Sequence, residues 1–183
     1  YSLSGERYFV KLQLATSFPT LTLGEVSEIT SGLWTGKAAP FVRAKVIRNT
    51  NFRKDGFIDW SDIAILDVEA RHFEKRELAF GDIVLEKSGG GPTQPVGRVV
   101  LFNTDESGFS FSNFTSRIRV TDERLLPTFL WLLLRDFHQR GGTERFQQQT
   151  SGIRNLDLKL YQQLQIPLPP LPIQEALVDE VDS

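Results

Sequence analysis

The sequence has no cysteine and no methionine, and only two histidines among its 183 residues. Without cysteine there is neither a disulfide framework nor a thiolate metal site, which excludes zinc fingers and makes a reducing cytoplasm the expected compartment. His72 and His138 are far apart, and neither has the i, i+4 partner or the neighbouring ligands that a metal site needs. The missing methionine, with Tyr1 as first residue, reads as a piece whose native start has been removed. Long apolar runs are lacking too: Phe129 to Leu134 is the longest and falls far short of the ~20 residues of a membrane span. No basic segment followed by an apolar run opens the chain, so no signal peptide is expected and the protein reads as soluble.

Motifs of catalysis are absent. No serine sits in a Gly-x-Ser-x-Gly elbow, and there is no Gly-x-Gly-x-x-Gly and no Asn/Asp-Pro-Pro-Tyr/Phe. Ser88-Gly89-Gly90-Gly91 could form an anion-binding nest but lacks the Gly-Lys-Ser/Thr ending of a nucleotide loop. Glu86 and Lys87 are adjacent, so on a strand they point to opposite faces and cannot share one metal.

What is present suits one globular domain: 40% hydrophobic residues and 24% charged. The net charge of −2 is unfavourable for contact with phosphate, yet its distribution is uneven. Glu175, Asp179, Glu180 and Asp182 sit in a C-terminal stretch with no Lys or Arg, which leaves residues 1–169 with 21 basic and 19 acidic groups. Between Trp34 and Trp60, Lys37, Arg43, Lys45, Arg48, Arg53 and Lys54 outnumber Asp55 and Asp59, a local +4.

Hydrophobic periodicity predicts an α+β domain with a twisted, mainly antiparallel, irregular sheet and packed helices. Leu21 to Thr30 reads as a turn or helical entry. Strands are expected at Phe41–Arg48, Ile63–Val68, Asp82–Lys87, Gly97–Phe102, Phe109–Ser112 and Ser116–Val120, the last with Ile118 facing away from Arg117 and Arg119. Pro127 opens a helix whose apolar face (Phe129, Leu130, Leu133, Leu134, Phe137) is core, and Gly141-Gly142 ends it. Leu156 to Gln163 reads as helical and Leu164 to Leu168 as extended. Pro167, Pro169, Pro170 and Pro172 form a stiff connector before an amphipathic helix from Ile173, with Ala176, Leu177 and Val181 completing its apolar stripe.

Three motifs in order carry a resemblance. They are Leu23-Gly24-Glu25-Val26-Ser27-Glu28-Ile29-Thr30-Ser31-Gly32; then Leu78-Ala79-Phe80-Gly81-Asp82-Ile83-Val84-Leu85-Glu86-Lys87-Ser88-Gly89-Gly90 with Val96-Gly97-Arg98; then Thr150-Ser151-Gly152-Ile153-Arg154-Asn155-Leu156 with Ile166-Pro167-Leu168-Pro169-Pro170-Leu171-Pro172-Ile173-Gln174-Glu175. Framing residues 21 to 181, they resemble the target-recognition domain of a type I restriction-modification specificity subunit. The resemblance implies a non-catalytic module, without cofactor, that reads double-stranded DNA for a methyltransferase (M) subunit and a restriction (R) subunit, S-adenosylmethionine belonging to the partner. It further implies a domain at 21–170, an N-terminal extension at 1–20, and at 171–183 the start of a spacer helix that pairs as a coiled coil with a second recognition domain or half-subunit. A domain cut from a single-chain restriction-methyltransferase, or a scaffold that has lost DNA binding, stays open as an alternative.

Arg and Lys suit guanine and phosphate, and Asn and Gln amides suit adenine. Three stretches supply them. The first gives Lys37, Arg53 and Lys54; the second, Lys87, Ser88, Gln94 and Arg98 around the glycines; the third, Arg145, Gln149, Thr150, Ser151, Arg154 and Asn155. On the C-terminal helix Ile173, Ala176, Leu177 and Val181 are the expected partner-binding residues.

Overall fold

The computed structural model describes residues 18–91, 94–150 and 152–182, without the side chains of Gln149, Thr150, Val181 and Asp182. The 1–20 extension, apart from its last residues, and Ser151 thus lie outside the described residues. In chain order the elements are β1 (Thr20–Thr22), α1 (Leu23–Val26), β2 (Ser27–Ser31), β3 (Phe41–Ile47), β4 (Ala64–Glu69), α2 (Ala70–Glu74), β5 (Ile83–Glu86), β6 (Ser88–Gly90), β7 (Val99–Leu101), β8 (Phe109–Phe111), β9 (Thr115–Val120), α3 (Pro127–Gln139), β10 (Gln147–Thr150), β11 (Ile153–Leu156), α4 (Leu158–Tyr161), β12 (Gln165–Pro167) and α5 (Leu171–Asp182).

The strands form four small sheets, with orders β2-β9-β5-β7, β4-β3-β8, β10-β11-β6 and β1-β12. All pairings are antiparallel except β3 with β8. In the central sheet β5 is buried on both faces, as its uninterrupted apolar run Ile83-Val84-Leu85 requires. Alternation divides that run between two cores. Ile83, Leu85, Val99, Leu101 and Ile118 pack on Phe129, Leu130 and Leu134 of α3. Val84 and Val100 turn the other way, onto Ile47, Phe102, Phe109 and Phe111.

Ile118 faces away from its neighbouring arginines as expected, but those arginines are not solvated. Arg117 is buried, donating to the Glu77 carbonyl (3.1 Å) and Thr30 Oγ1 (3.3 Å). Arg119 grips the buried Asp82 carboxylate through Nε (2.7 Å) and Nη2 (2.6 Å). Asp82 in turn accepts the Ala79 amide (2.8 Å), so the Gly-Asp turn and the start of β5 are tied to β9.

Three expectations are corrected. Leu21 to Thr30 is not a single helical entry: it is two strands around one helical turn, and β2 exists because it pairs with β9 from Ser27↔Val120 to Ser31↔Ser116. Residues 147–156, read as polar and unassigned, form a hairpin that pairs with β6. Its run of glutamines has no apolar alternation to betray a strand, and tertiary pairing decides the conformation. Pro172 lies inside α5, not before it, since the first helical turn has no use for a proline N–H.

The C-terminal helix folds back against α3. Gln174 makes the joint: it is fully buried, accepts the Leu126 amide (2.8 Å) and donates to the carbonyls of Arg124 (2.7 Å) and Pro169 (2.7 Å). Leu177 is 7% exposed and Val178 packs beside it on the main core, whereas Ile173 is 40% exposed and Ala176 is also exposed. The inward stripe is therefore Gln174, Leu177 and Val178, at i, i+3 and i+4. A reading restricted to apolar residues misses Gln174, because only three well-placed backbone partners make a buried amide acceptable.

Gln174→Leu should destabilise the domain by about 2–4 kcal/mol, because three backbone groups lose their partner while remaining buried. Ile173→Ala, on the exposed side of the same helix, should change stability by less than about 0.5 kcal/mol. Urea unfolding of both variants checks the contrast, and equal effects would refute this account of the joint.

Candidate nucleic-acid interface

The three-stranded sheet β10-β11-β6 joins two of the three stretches singled out in the sequence. Ser88 of β6 faces Asn155 of β11, and the Ser88 hydroxyl bonds Asn155 Oδ1 at 2.5 Å. Arg154 is the register partner of Gly90 and also donates to Gln147 Oε1 (3.4 Å). Lys87 leads into β6; its amide and that of Ser88 both donate to the Phe114 carbonyl (3.0 and 3.2 Å). Burial lowers the Lys87 ammonium pKa, with the nearby Arg76 adding to the effect. Gln94 is exposed at the far side of the same loop and closes it by a bridge to Gly91.

The glycines of this loop serve mainly internal packing. A Cβ on Gly90 would lie 2.6 Å from the Gln94 carbonyl oxygen and 2.7 Å from Val96 Cγ1. Gly89 has φ +100°, and its missing Cβ makes room for Asn49 Nδ2 and the exposed Phe114 ring. Only Gly91 opens onto empty space.

Arg98 sits on the neighbouring flank and is not the free solvent-facing arginine expected from its place after Gly97. Its Nε and Nη2 grip the two oxygens of Glu86 at 2.8 and 2.7 Å, and its remaining donors reach the carbonyls of Asn49 (3.1 Å) and Phe52 (3.3 Å). Glu86 is 1% exposed and Arg98 23%. The carboxylate also accepts from Asn49 Nδ2 (3.2 Å), so one buried anion organises the loop 49–52, the end of β5 and the start of β7.

Arg98 lines a cavity of about 330 Å³ together with Arg53, Lys54, Gly56, Arg135, His138 and Glu144. Arg53 and Lys54 from the first stretch thus meet Arg98 from the second. Burial lowers the His138 pKa, leaving the imidazole uncharged at neutral pH, and its Nδ1 bonds the Thr143 hydroxyl at 3.0 Å. Arg135 comes from α3, a helix read from sequence only for its core face; its signal was a lone cation off that face.

The other residues are dispersed. Lys37 lies near Glu69, which accepts the amides of Lys37 (2.6 Å) and Ala38 (2.7 Å). With Arg71 also donating (2.6 Å), that carboxyl is held down at about 2, Arg71 being the largest influence and the two amides following. Lys45, Arg48 and Arg53 of the basic segment are ion-paired with Glu106, Asp62 and Asp55. Arg145 is exposed and stacks over Phe146 (4.8 Å) and Phe137 (5.4 Å). Gln147 and Gln148 are tied to the Val96 carbonyl (3.3 Å) and Asp157 (2.7 Å). Gln149 and Thr150 lie on β10, their side chains outside the described residues.

Compared with known families, residues 18–183 match the type I restriction modification DNA specificity domain. The chain belongs to that family. The specificity domain is also similar in fold to solved structures of the HsdS subunit from Thermoanaerobacter tengcongensis (TM-score 0.59, 18% identity) and of the type I restriction-modification system S subunit from M. genitalium (TM-score 0.60, 17% identity). In each case 98% of this chain is covered, but only 43% and 44% of the other. A likeness of TM-score 0.61 at 10% identity extends to the type IIG restriction endonuclease BpuSI, covering 98% of this chain and 28% of that one. The specificity domain thus spans less than half the length of these proteins. No curated protein sequence matches it.

Because Glu86 stays buried when its partner is removed, Arg98→Ala should cost the specificity domain about 3–5 kcal/mol of stability. The Arg98→Ala, Glu86→Gln double variant should recover part of that loss. Denaturant unfolding measures both, and an Arg98→Ala variant as stable as wild type would remove Arg98 from this structural role.

Proposed function

We propose that this domain selects a DNA sequence for catalytic partners and has no active site of its own. The observation that carries the reading is the convergence of Lys87, Ser88, Arg154 and Asn155 on one small sheet, beside a cavity lined by Arg53, Lys54 and Arg98. Cationic and amide groups in adjoining positions meet the two needs of recognition, phosphate attraction and base reading. In this reading Arg98 acts by holding the loops in place, while Lys87, Gln94 and Arg154 face DNA; Asn155, next to Arg154 on β11 and so on its other face, is held by the Ser88 hydroxyl. The meeting of Arg53, Lys54, Arg98 and Arg135 around one cavity favours DNA binding over a scaffold that has lost it.

The domain proper is residues 21–170, and 171–183 begins a spacer helix. Partners are a methyltransferase (M) subunit, which holds S-adenosylmethionine, a restriction (R) subunit, and a second recognition domain or half-subunit, all acting in the cytoplasm. Leu171, Ile173 and Ala176 are exposed on the helix and supply its partner-facing side, while Leu177 serves the domain's own core. The fold likeness to BpuSI supports a second reading, in which the domain is one part of a single-chain restriction enzyme. Sequencing the gene beyond both ends of this chain separates the two.

Lys87→Ala and Arg154→Ala should each weaken target binding by about 1–3 kcal/mol with the fold intact if they touch bases, or reduce the salt slope by about one if they touch phosphate. Duplex titrations at several salt concentrations, with and without the target sequence, distinguish these outcomes; unchanged affinity in both variants would reject this sheet as the DNA face. For the helix, Ile173→Asp with Ala176→Asp should abolish co-purification with the methyltransferase or the second half-subunit while leaving thermal stability near wild type. A double variant that assembles normally would remove this face from assembly.

A further inference from the structure

We infer that the cavity between the 53–56 loop and α3 is a phosphate-binding site, with Arg135 and Lys54 as its charged donors. The inference rests on the DNA-recognition reading and deepens it by assigning a phosphodiester of the DNA backbone to one place on the surface.

The charge ledger of the cavity leads to these two residues. Four permanent cations line it, but Arg53 is paired with Asp55 at 2.5 Å and Arg98 with buried Glu86 at 2.7 Å. Lys54 and Arg135 form no ion pair among the described residues, and Glu144 is the one carboxylate in the lining. His138 contributes a polar ring but no charge at neutral pH. An excess of two unpaired cations over one carboxylate, lining a concave space, attracts an anion more strongly than the same charges on a convex surface.

The site is also built, since Arg135 is held in position. The Arg135 guanidinium lies over the Trp131 ring at 5.5 Å, and the Trp131 indole N–H donates to the Gly56 carbonyl at 3.2 Å. Gly56 has φ +86°, and a Cβ there would stand 2.8 Å from Arg135 Cδ and 3.0 Å from the Trp131 ring. The Lys54 loop can therefore close on α3 only with glycine at this position. The Arg135 side chain makes no hydrogen bond within the described protein; its Nε is buried against Gly56, which leaves the Nη groups to bond a ligand. A stacked, pre-oriented arginine loses little freedom when it binds an oxyanion.

Position connects the cavity to the proposed DNA face. Pro95 and Arg98, at the end of the glycine-rich loop, form one wall, and Gln147 of β10 donates to the adjoining Val96 carbonyl. A small cavity with one fixed guanidinium and a lysine at its edge suits one phosphate and not a base edge, so it should give affinity without sequence preference.

The test uses the full-length protein containing this domain, with Arg135→Gln and the exposed Lys54→Gln as separate variants and Arg135→Lys to retain charge. Each glutamine variant should weaken binding of target and non-target duplexes alike, by about 3- to 10-fold near 0.1 M salt, and lower the slope of log affinity against log salt by about one. Arg135→Lys should keep the wild-type slope. Thermal unfolding in the presence of inorganic phosphate separates the sources. Stabilisation lost in Arg135→Gln, together with unchanged duplex binding by both glutamine variants, would assign the site to free phosphate and overturn the DNA assignment. Loss confined to the target duplex with an unchanged slope would make these residues base readers and overturn it too. Unaltered behaviour of both glutamine variants in a wild-type background that binds DNA would reject the site alone, whereas a wild-type protein with no DNA affinity would reject the recognition reading with it.

Discussion

The Glu86–Arg98 pair is the contact on which the rest of the surface depends. β5 ends in a carboxylate that is 1% exposed, in a sheet buried on both faces, and such an anion is tolerable only when its oxygens are fully engaged. Arg98 supplies two of the bonds and Asn49 a third. Because Arg98 also reaches the carbonyls of Asn49 and Phe52, satisfying the anion fixes the loop that leads to Arg53 and Lys54. The glycine-rich loop leaves β5 immediately after Glu86 and returns at Gly97, whose amide donates to the Glu86 carbonyl at 2.9 Å. One ion pair thereby ties the 49–52 loop to the end of β5 and the return of the glycine-rich loop.

A matching device holds the opposite end of β5, where buried Asp82 is gripped by Arg119. The two carboxylates bracket the apolar run Ile83-Val84-Leu85, so the register of the central strand is determined by polar contacts at its ends as well as by packing along it. Gln174 does the same work further along the chain, connecting the loop before α3 to the C-terminal helix. A buried amide with three backbone partners fixes the angle at which the C-terminal helix lies against α3.

Much of this was legible in the sequence, and the exceptions have physical causes. The central strands and α3 announce themselves because local periodicity and burial agree: Pro127 opens a helix and the glycines at 141 and 142 close it. β2 and the β10–β11 hairpin do not, since their polar sequences become strands only by pairing with β9 and β6. Ser88, Arg154 and Asn155 were legible as polar loop residues, but their meeting depends on that unannounced pairing. Arg98 illustrates the limit from the other direction. Following a glycine, it reads as a solvated cation, and its capture by a carboxylate 12 residues earlier follows from the β5–β7 register, which puts Glu86 opposite Arg98.

The negative net charge now has a structural explanation. Asp82 and Glu86 are buried counter-ions of arginines, and Asp55, Asp62 and Glu106 balance the basic segment at its surface. Glu175, Asp179 and Glu180 lie on the C-terminal helix, away in sequence from the recognition loops. A whole-chain sum weighs these groups equally with Lys54 and Arg135, although attraction between exposed charges fades beyond a screening length of about 8–10 Å at physiological salt. What a phosphate meets is the local excess. In this fold acidic residues hold the scaffold together, while Lys54 and Arg135 meet in one cavity without an ion pair among the described residues.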